Sequence, residues 1–337
     1  MSDGSERLSL DDATALIHRA LAANGVTDIA AGSVAHALVA AEAEGQVGHG
    51  FSRLSDYVAQ VRTGKIRADA VPSVARPHDT SIVVDAGFGF AYPAMDVAIE
   101  TGIGVAQQHG TASMAVFRSH HCGALSVQVD RIAQSGLVGM MVANSPGAIA
   151  PWGASKAVFG TNPIAFAAPR PDAPPLVIDL SLSRVARGKV MHARNSGQPI
   201  PEGWALDRHG RPTTDPEAAL AGTMVPIGEA KGTALALMVE ILACVMTGSN
   251  LSHEAGSFFT ADGAPPGTGQ FLLALKPPDA AGFASRLEAL LTLIEQLEGA
   301  RLPGSRRAAA IDRSRRDGIE VPVAYLDMAR QMADGGW

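Results

Sequence analysis

The sequence predicts a mixed α/β fold of the α+β kind. Three observations predict it. Apolar residues recur at helical spacing near both ends of the chain, between cap and stop residues. Short apolar runs bounded by glycine and proline alternate with helical stretches through the middle. The 337 residues are 47% apolar and 18% charged, enough for one large domain or two ordinary ones with a buried core.

Ser9 stands three positions before Asp12, a capping-box-like start. Leu16, Ile17, Ala20 and Leu21 follow at helical spacing, and Gly25 supplies the stop. An alanine-rich helix is predicted over 30–45. A third carries Leu54, Tyr57, Val58 and Val61 on one face and ends at Gly64. From Pro72 the character changes: SIVVD (81–85) reads as a strand, 87–89 as a tight turn, and 94–108 as a helix. A short strand over 114–117 runs into a turn, then a helix over 125–134 and an apolar strand over 137–143. A Gly/Pro-rich loop spans 144–153. Strands over 164–168 and 176–179 flank a proline-rich bend, and 184–194 is short and basic. The stretch 197–221 reads as surface loop. The stretch 231–248 is apolar nearly all round and predicts a buried helix. Loop (257–269), strand (271–275), amphipathic helix (283–298), a turn at 302–307 and a last helix beyond Val321 complete the chain.

Composition narrows the function. The net charge is −6 and no basic block is long enough to track a phosphate backbone, so nucleic acid is not an expected partner. The longest uncharged run, 132–155, is broken by Asn144, Pro146, Gly147, Pro151 and Gly153, so no membrane helix is expected. Two cysteines, Cys122 and Cys244, build no disulfide framework and fit a reducing compartment. The N-terminus is acidic and polar, unlike a secretory signal, so the cytoplasm is the expected location.

Two stretches carry chemistry. GHGFSRL (48–54) places His49 in a turn and Arg53 about one turn into the next helix, facing one pocket. RSHHCGA (118–124) adds His120 and His121 beside glycine. Imidazoles exchange protons near neutral pH, and guanidinium fits a carboxylate. That is a kit for a small carboxylic acid. The HHC run has none of the usual zinc spacings, so no metal site is expected. Asp179, Arg187 and Lys189 follow a strand that runs into a basic segment, and Lys231 heads a helix, both able to hold an anion. Gly304, Ser305 and Arg306 could do similar work. Gly102-Ile103-Gly104 has no third glycine and lies inside a helix, so the dinucleotide fingerprint is missing. Ser119 and His120 are too close to form a triad without an acid.

Together GHGFSRL, SHHCGA, FGTNPIAFAAP (159–169), DLSLSRVARGK (179–189), IPEGWALDRHGRPTTDP (200–216), KGTALALMVEILACVMTG (231–248) and LPGSRR (302–307) run in the order seen in a known family. The chain resembles the malate/L-lactate dehydrogenase family that is distinct from the Rossmann-fold enzymes of those names. That family includes sulfolactate, ureidoglycolate and diketogulonate enzymes and the Δ1-piperideine-2-carboxylate/Δ1-pyrroline-2-carboxylate reductases. The resemblance implies a non-Rossmann nicotinamide-binding fold with a mostly antiparallel sheet flanked by helices. It implies a helical domain (1–76 with 308–337), a substrate-side domain (77–122 with 280–307) and a cofactor domain (123–279), in a homodimer. It implies His49 as proton donor, and Arg53 and Thr161 as substrate contacts. It implies His121, Cys122, Gly123, Ala124, Leu125, Asp179, Leu180, Ser181, Lys231, Gly304, Ser305 and Arg306 as cofactor contacts.

The chain departs from the imine reductases at two places. They carry serine before the histidine where this chain has Gly48, and, like other branches of the family, aspartate where it has Lys189. A serine–histidine–aspartate relay is not carried over, so His49 needs another partner. The tandem histidine is similar to the imine-reductase branch. The sequence therefore leans to reduction of a cyclic 2-imino carboxylate with NADPH, NADH being the other cofactor. The alternative is an open-chain 2-hydroxy acid such as malate, lactate, ureidoglycolate, sulfolactate or diketogulonate.

Overall fold

The computed structural model describes residues 4–336. Strand β1 (Ser5–Leu8) leads into helices α1 (Leu10–Ala23) and α2 (Asp28–Ala43). The Ser9 hydroxyl accepts the Asp12 amide at 3.0 Å and caps α1 as the sequence predicts. Two single-turn 3₁₀ segments, Val47–His49 and Phe51–Arg53, run into α3 (Leu54–Arg62). Then come β2 (Ser73–His78), β3 (Ser81–Asp85), α4 (Ala91–His109), β4 (Thr111–Ser119), α5 (Leu125–Gln134) and β5 (Val138–Ala143). After β6 (Ile164–Ala168), β7 (Leu176–Leu180) and α6 (Arg187–Asn195) the chain makes a small lobe. The lobe holds β8 (Ala205–Leu206), β9 (Pro212–Thr213), α7 (Pro216–Ala221) and β10 (Thr223–Met224). Helix α8 (Ala230–Glu240) continues as a π-turn, Ile241–Val245. Strand β11 (Thr268–Leu275), α9 (Ala280–Glu295), α10 (Ser305–Asp317), β12 (Ile319–Pro322) and α11 (Val323–Ala333) complete the chain.

The main sheet has seven strands in the order β2-β3-β4-β11-β5-β6-β7. Only β3 and β4 run parallel; every other neighbouring pair is antiparallel. Its centre is buried on both faces, and the period-2 alternation divides its side chains. Met114 and Val116 of β4 and Leu272 of β11 join the core shared with α1, α2, α4 and α5. Ala115 and Phe271 join a second core with α8 and the small lobe. Antiparallel β1 and β12 tie the two ends of the chain together, and α1 packs on α11. Strands β8 and β9 of the three-stranded sheet β10-β8-β9, and helix α7, lie in the stretch 197–221 predicted as surface loop, where polar residues and prolines hide such short elements.

Gly102 of the incomplete fingerprint has a packing role. A Cβ on Gly102 would sit 2.2 Å from Met114 Sδ, so its absence lets α4 lie close on β4.

Two expectations change. The 231–248 helix is not buried all round. Ala236, Val239, Ala243 and Cys244 face the core, while Leu235, Leu237, Ile241, Val245 and Met246 are exposed, Val245 at 65%. An all-round apolar pattern does not say whose surface covers each face. The LPGSRR turn also runs directly into α10, an arginine-rich helix with no buried residue and hence no apolar stripe to read.

Candidate active site

The joint between α2 and α3 is built from the inside. Glu42, buried at the end of α2, accepts the Phe51 amide at 2.9 Å. A Cβ at residue 50 would meet Glu42 Oε2 at 1.8 Å, so only Gly50 lets the joint close over the carboxylate. Burial pushes the Glu42 carboxyl up to about 7. The two 3₁₀ turns on either side of Gly50 present His49 and Arg53.

His121 comes to this joint from the turn between β4 and α5. Its Nε2 lies 3.2 Å from His49 Nδ1, and the two rings stack at 10°. On its other side His121 Nδ1 meets the Tyr57 hydroxyl at 2.6 Å, and Tyr57 meets the Tyr92 hydroxyl at 2.9 Å. His120 points elsewhere, to Gln60 Oε1 at 2.8 Å. The adjacent histidines therefore do not converge on a common ligand. Burial, with Arg53 as the second cause, lowers His49 to about 4. Burial likewise drops His120 to about 3 and His121 well below its usual value. All three imidazoles are neutral at pH 7.

Arg53 is held without being used up. Its Nε donates to the Gly48 carbonyl at 2.8 Å and Nη1 donates to Asp56 at 3.4 Å. The guanidinium lies 4.5 Å from the centre of the Phe259 ring. Among the described residues Nη2 has no partner, so one edge of the fork remains for an anion. The loop that brings Phe259 is stapled to α3. The buried Lys65 Nζ donates to the carbonyls of Ser257, Thr260 and Asp262 at 2.8, 2.8 and 3.0 Å. Gln60 Nε2 donates to the Phe258 carbonyl at 2.9 Å. Phe258 thereby packs 5.3 Å from the His120 ring and 5.2 Å from that of His121. These aromatic and polar partners fill an apolar wall beside the histidines.

The residues implied as cofactor contacts form a band from this wall. Cys122 is buried and its thiol is pushed up to about 12, so it is no nucleophile. Gly123 has φ +69°, and a Cβ there would meet the Tyr92 hydroxyl at 2.7 Å. Ala124 precedes α5, whose first residue is Leu125, and no side chain caps that helix. The Ser126 amide donates to Asp179 Oδ2 at 2.9 Å, which ties the end of β7 to the start of α5. Glu44 completes that corner, accepting from Ser126 Oγ at 2.5 Å and pairing with Arg307 at 3.2 Å. Burial raises both carboxyls. Gly304, at φ +78° beside the Val177 carbonyl, brings Ser305 and Arg306 to the same corner at the uncapped start of α10.

Beyond Asp179, Leu180 is exposed and the Ser181 hydroxyl lies 3.2 Å from that of Ser183. The Leu182 amide donates to the Thr161 carbonyl at 2.8 Å, so Thr161 sits against the end of β7. Ser145 fixes Thr161, taking its amide at 3.0 Å and meeting its hydroxyl at 3.2 Å. The next residue, Asn162, is buried at φ +40° and donates to Glu240 at 2.8 Å. Lys231 is exposed at the start of α8, another helix without a side-chain cap.

The set fits a dinucleotide. Two uncapped helix starts carry Lys231 and Arg306, which suits phosphate. Glu42, Tyr57, Tyr92, Lys65, Ser145 and Phe259 were not predicted as site residues. Of these, Tyr57 was legible only as an apolar position on a helix face.

Proton-exchanging imidazoles beside a carboxylate-sized arginine and a dinucleotide-sized band of helix starts are the parts of an NAD(P)-dependent oxidoreductase, and the relatives of the chain have that activity. The chain belongs to the malate/L-lactate dehydrogenase family, whose profile matches residues 8–328. It is 48% identical to the (2R)-3-sulfolactate dehydrogenase (NADP(+)) of Chromohalobacter salexigens, over 98% of each chain. It is 39% identical to a Δ1-pyrroline-2-carboxylate reductase of Burkholderia multivorans, over 95% of each. The solved structure of Δ1-piperideine-2-carboxylate reductase from Pseudomonas syringae superposes with a TM-score of 0.92 at 36% identity, covering 97% of this chain and 99% of that one.

Glu42 makes stability of the joint pH-dependent. Its carboxyl sits above the unfolded value of 4.5, so the neutral form is favoured in the fold. That contribution is full below pH 4.5 and is lost as pH rises through about 7. Urea midpoints at pH 5 and pH 8 should fall more steeply for the wild type than for Glu42→Gln, which keeps the acceptor but not the charge. Equal pH slopes in the two proteins would contradict this placement.

Proposed function

We propose that this protein interconverts an open-chain 2-hydroxy acid of the sulfolactate type and its 2-oxo acid, with NADP as the hydride carrier. One observation carries the mechanism: a neutral His49, braced at Nδ1 by His121, stands near Arg53, whose Nη2 is unclaimed. Arg53 holds the substrate carboxylate and Thr161 a second polar group. When bound, nicotinamide exchanges a hydride with C2. His49 Nε2 takes the hydroxyl proton in oxidation and returns it in reduction. Because His49 is neutral in the free protein, it is ready as a base; a bound carboxylate offsets the Arg53 charge and raises His49 toward the acid form needed for reduction.

His121 to Leu125, Asp179 to Ser181, Lys231 and Gly304 to Arg306 hold the cofactor in this reading. The single parallel pair in the main sheet supports a site unlike the Rossmann type. The exposed apolar face of α8 supports a homodimer, and the pairing of β1 with β12 supports a helical domain made from both chain ends. Two buried, unpaired cysteines accord with a cytoplasmic setting.

The substrate class rests on the 48% identity to a sulfolactate dehydrogenase and on Gly48, where the chain departs from imine reductases. The tandem histidine and the relatives at 37–39% identity favour a second reading, reduction of a cyclic 2-imino carboxylate. A panel separates them: (2R)-3-sulfolactate with NADP and NAD, and Δ1-pyrroline-2-carboxylate with NADPH and NADH. Turnover of the hydroxy acid with NADP, and little of the imine, is expected. The reverse pattern would replace the substrate and leave the site. In either case His49→Ala should lose about 10²–10⁴-fold in kcat; full activity in that variant would overturn the mechanism.

A further inference from the structure

We infer that Tyr57 and Tyr92 are positioning residues that carry the reaction's proton between His49 and a second cavity. The inference rests on the role of His49 proposed above. One unbroken chain orients that imidazole: His49 Nδ1 to His121 Nε2 at 3.2 Å, His121 Nδ1 to Tyr57 at 2.6 Å, and Tyr57 to Tyr92 at 2.9 Å. No serine–aspartate pair is available for the task at Gly48 and Lys189.

The chain is sealed along its length. Tyr57, Tyr92 and His121 are all buried, and Phe258 covers the His121 ring. Gly123 is the place where the packing yields to it, since a Cβ there would strike the Tyr92 hydroxyl. The far end opens. Tyr92 lines a cavity of about 650 Å³ between α2, α4, α5 and α10, whose charged and titratable groups are His36, Glu44, Asp96, Asp130, Arg131 and Arg315. A proton released there meets the carboxylates of Glu44, Asp96 and Asp130.

One set of protons runs through the chain. In oxidation His49 Nε2 takes the hydroxyl proton as hydride leaves C2. The Nδ1 proton of His49 passes to His121 Nε2. His121 Nδ1 releases its proton to Tyr57, Tyr57 releases its own to Tyr92, and Tyr92 releases its own to water in the cavity. Every residue ends neutral, in the other tautomer or with its hydroxyl turned, and reduction runs the same steps backwards. Neutral imidazoles suit such a chain, because each can accept on one nitrogen while donating from the other. The groups facing the chain are Arg53 and Asp56 at the substrate end, His120 and Cys122 beside it, and the six cavity residues named above.

The test uses the full protein and whichever acid the panel shows to turn over. Tyr57→Phe and Tyr92→Phe each remove only an oxygen. Each should slow single-turnover hydride transfer about tenfold while KM for the acid and NADPH binding by fluorescence stay within about twofold. The readout that packing alone would not move is the dependence of that rate on the D₂O fraction. A curved dependence is expected for the wild type, with several protons in flight, and a linear one for both variants, with only the His49 proton left. Wild-type rates in both variants, or slowed rates with the curve retained, would overturn the relay. His49→Ala in the same assay separates the two claims. An inactive His49→Ala with wild-type tyrosine variants overturns the relay alone, whereas an active His49→Ala overturns the role of His49 and the relay with it.

Discussion

The contact between His49 and His121 is the interaction on which the site depends. It joins two segments 72 residues apart, one from the helical joint and one from the end of β4. Neither imidazole has a charged partner. They orient each other, and their burial keeps both neutral. A neutral stacked pair is held only by its surroundings, so the architecture around it must be stiff. Glu42 and Gly50 fix one approach, Arg118 at φ +48° and the turn after β4 fix the other, and Lys65 and Gln60 clamp the loop that covers both.

Several of these supports have a common physical form. They are buried polar groups that hold backbone amides or carbonyls. Lys65 holds three carbonyls, Glu42 an amide, Asp179 another, and Asn162 both a carbonyl and Glu240. Such groups cost much when unpaired and so specify one arrangement of the loops they touch. The sheet supplies the rigid base, and loops that would otherwise drift become part of the site.

Much of this could be read in the sequence, for identifiable reasons. Strand β6 and helix α5 match their predicted bounds because period and flanking signals agree there. His49 and Arg53 stood out through their glycines. The seven ordered motifs disclosed the family. What stayed hidden depends on distance in the chain. Which of the two adjacent histidines faces His49 is decided by the backbone turn after Ser119, not by residue type. Tyr57 shows its burial in its helical spacing, but its hydroxyl has a role only beside Tyr92, 35 residues away. Helix α10 carries no apolar stripe, and α8 hides its exposed face because a helix apolar all round has no direction.

The measurement closest to the central claim is the titration of His49 itself, by NMR of protein labelled with ¹⁵N in histidine, assigned with His49→Gln. The account predicts a neutral His49 that carries its proton on Nδ1 at pH 7 and titrates with a midpoint of about 4. A midpoint near 6.5 would show that burial does not hold His49 neutral and would contradict the account.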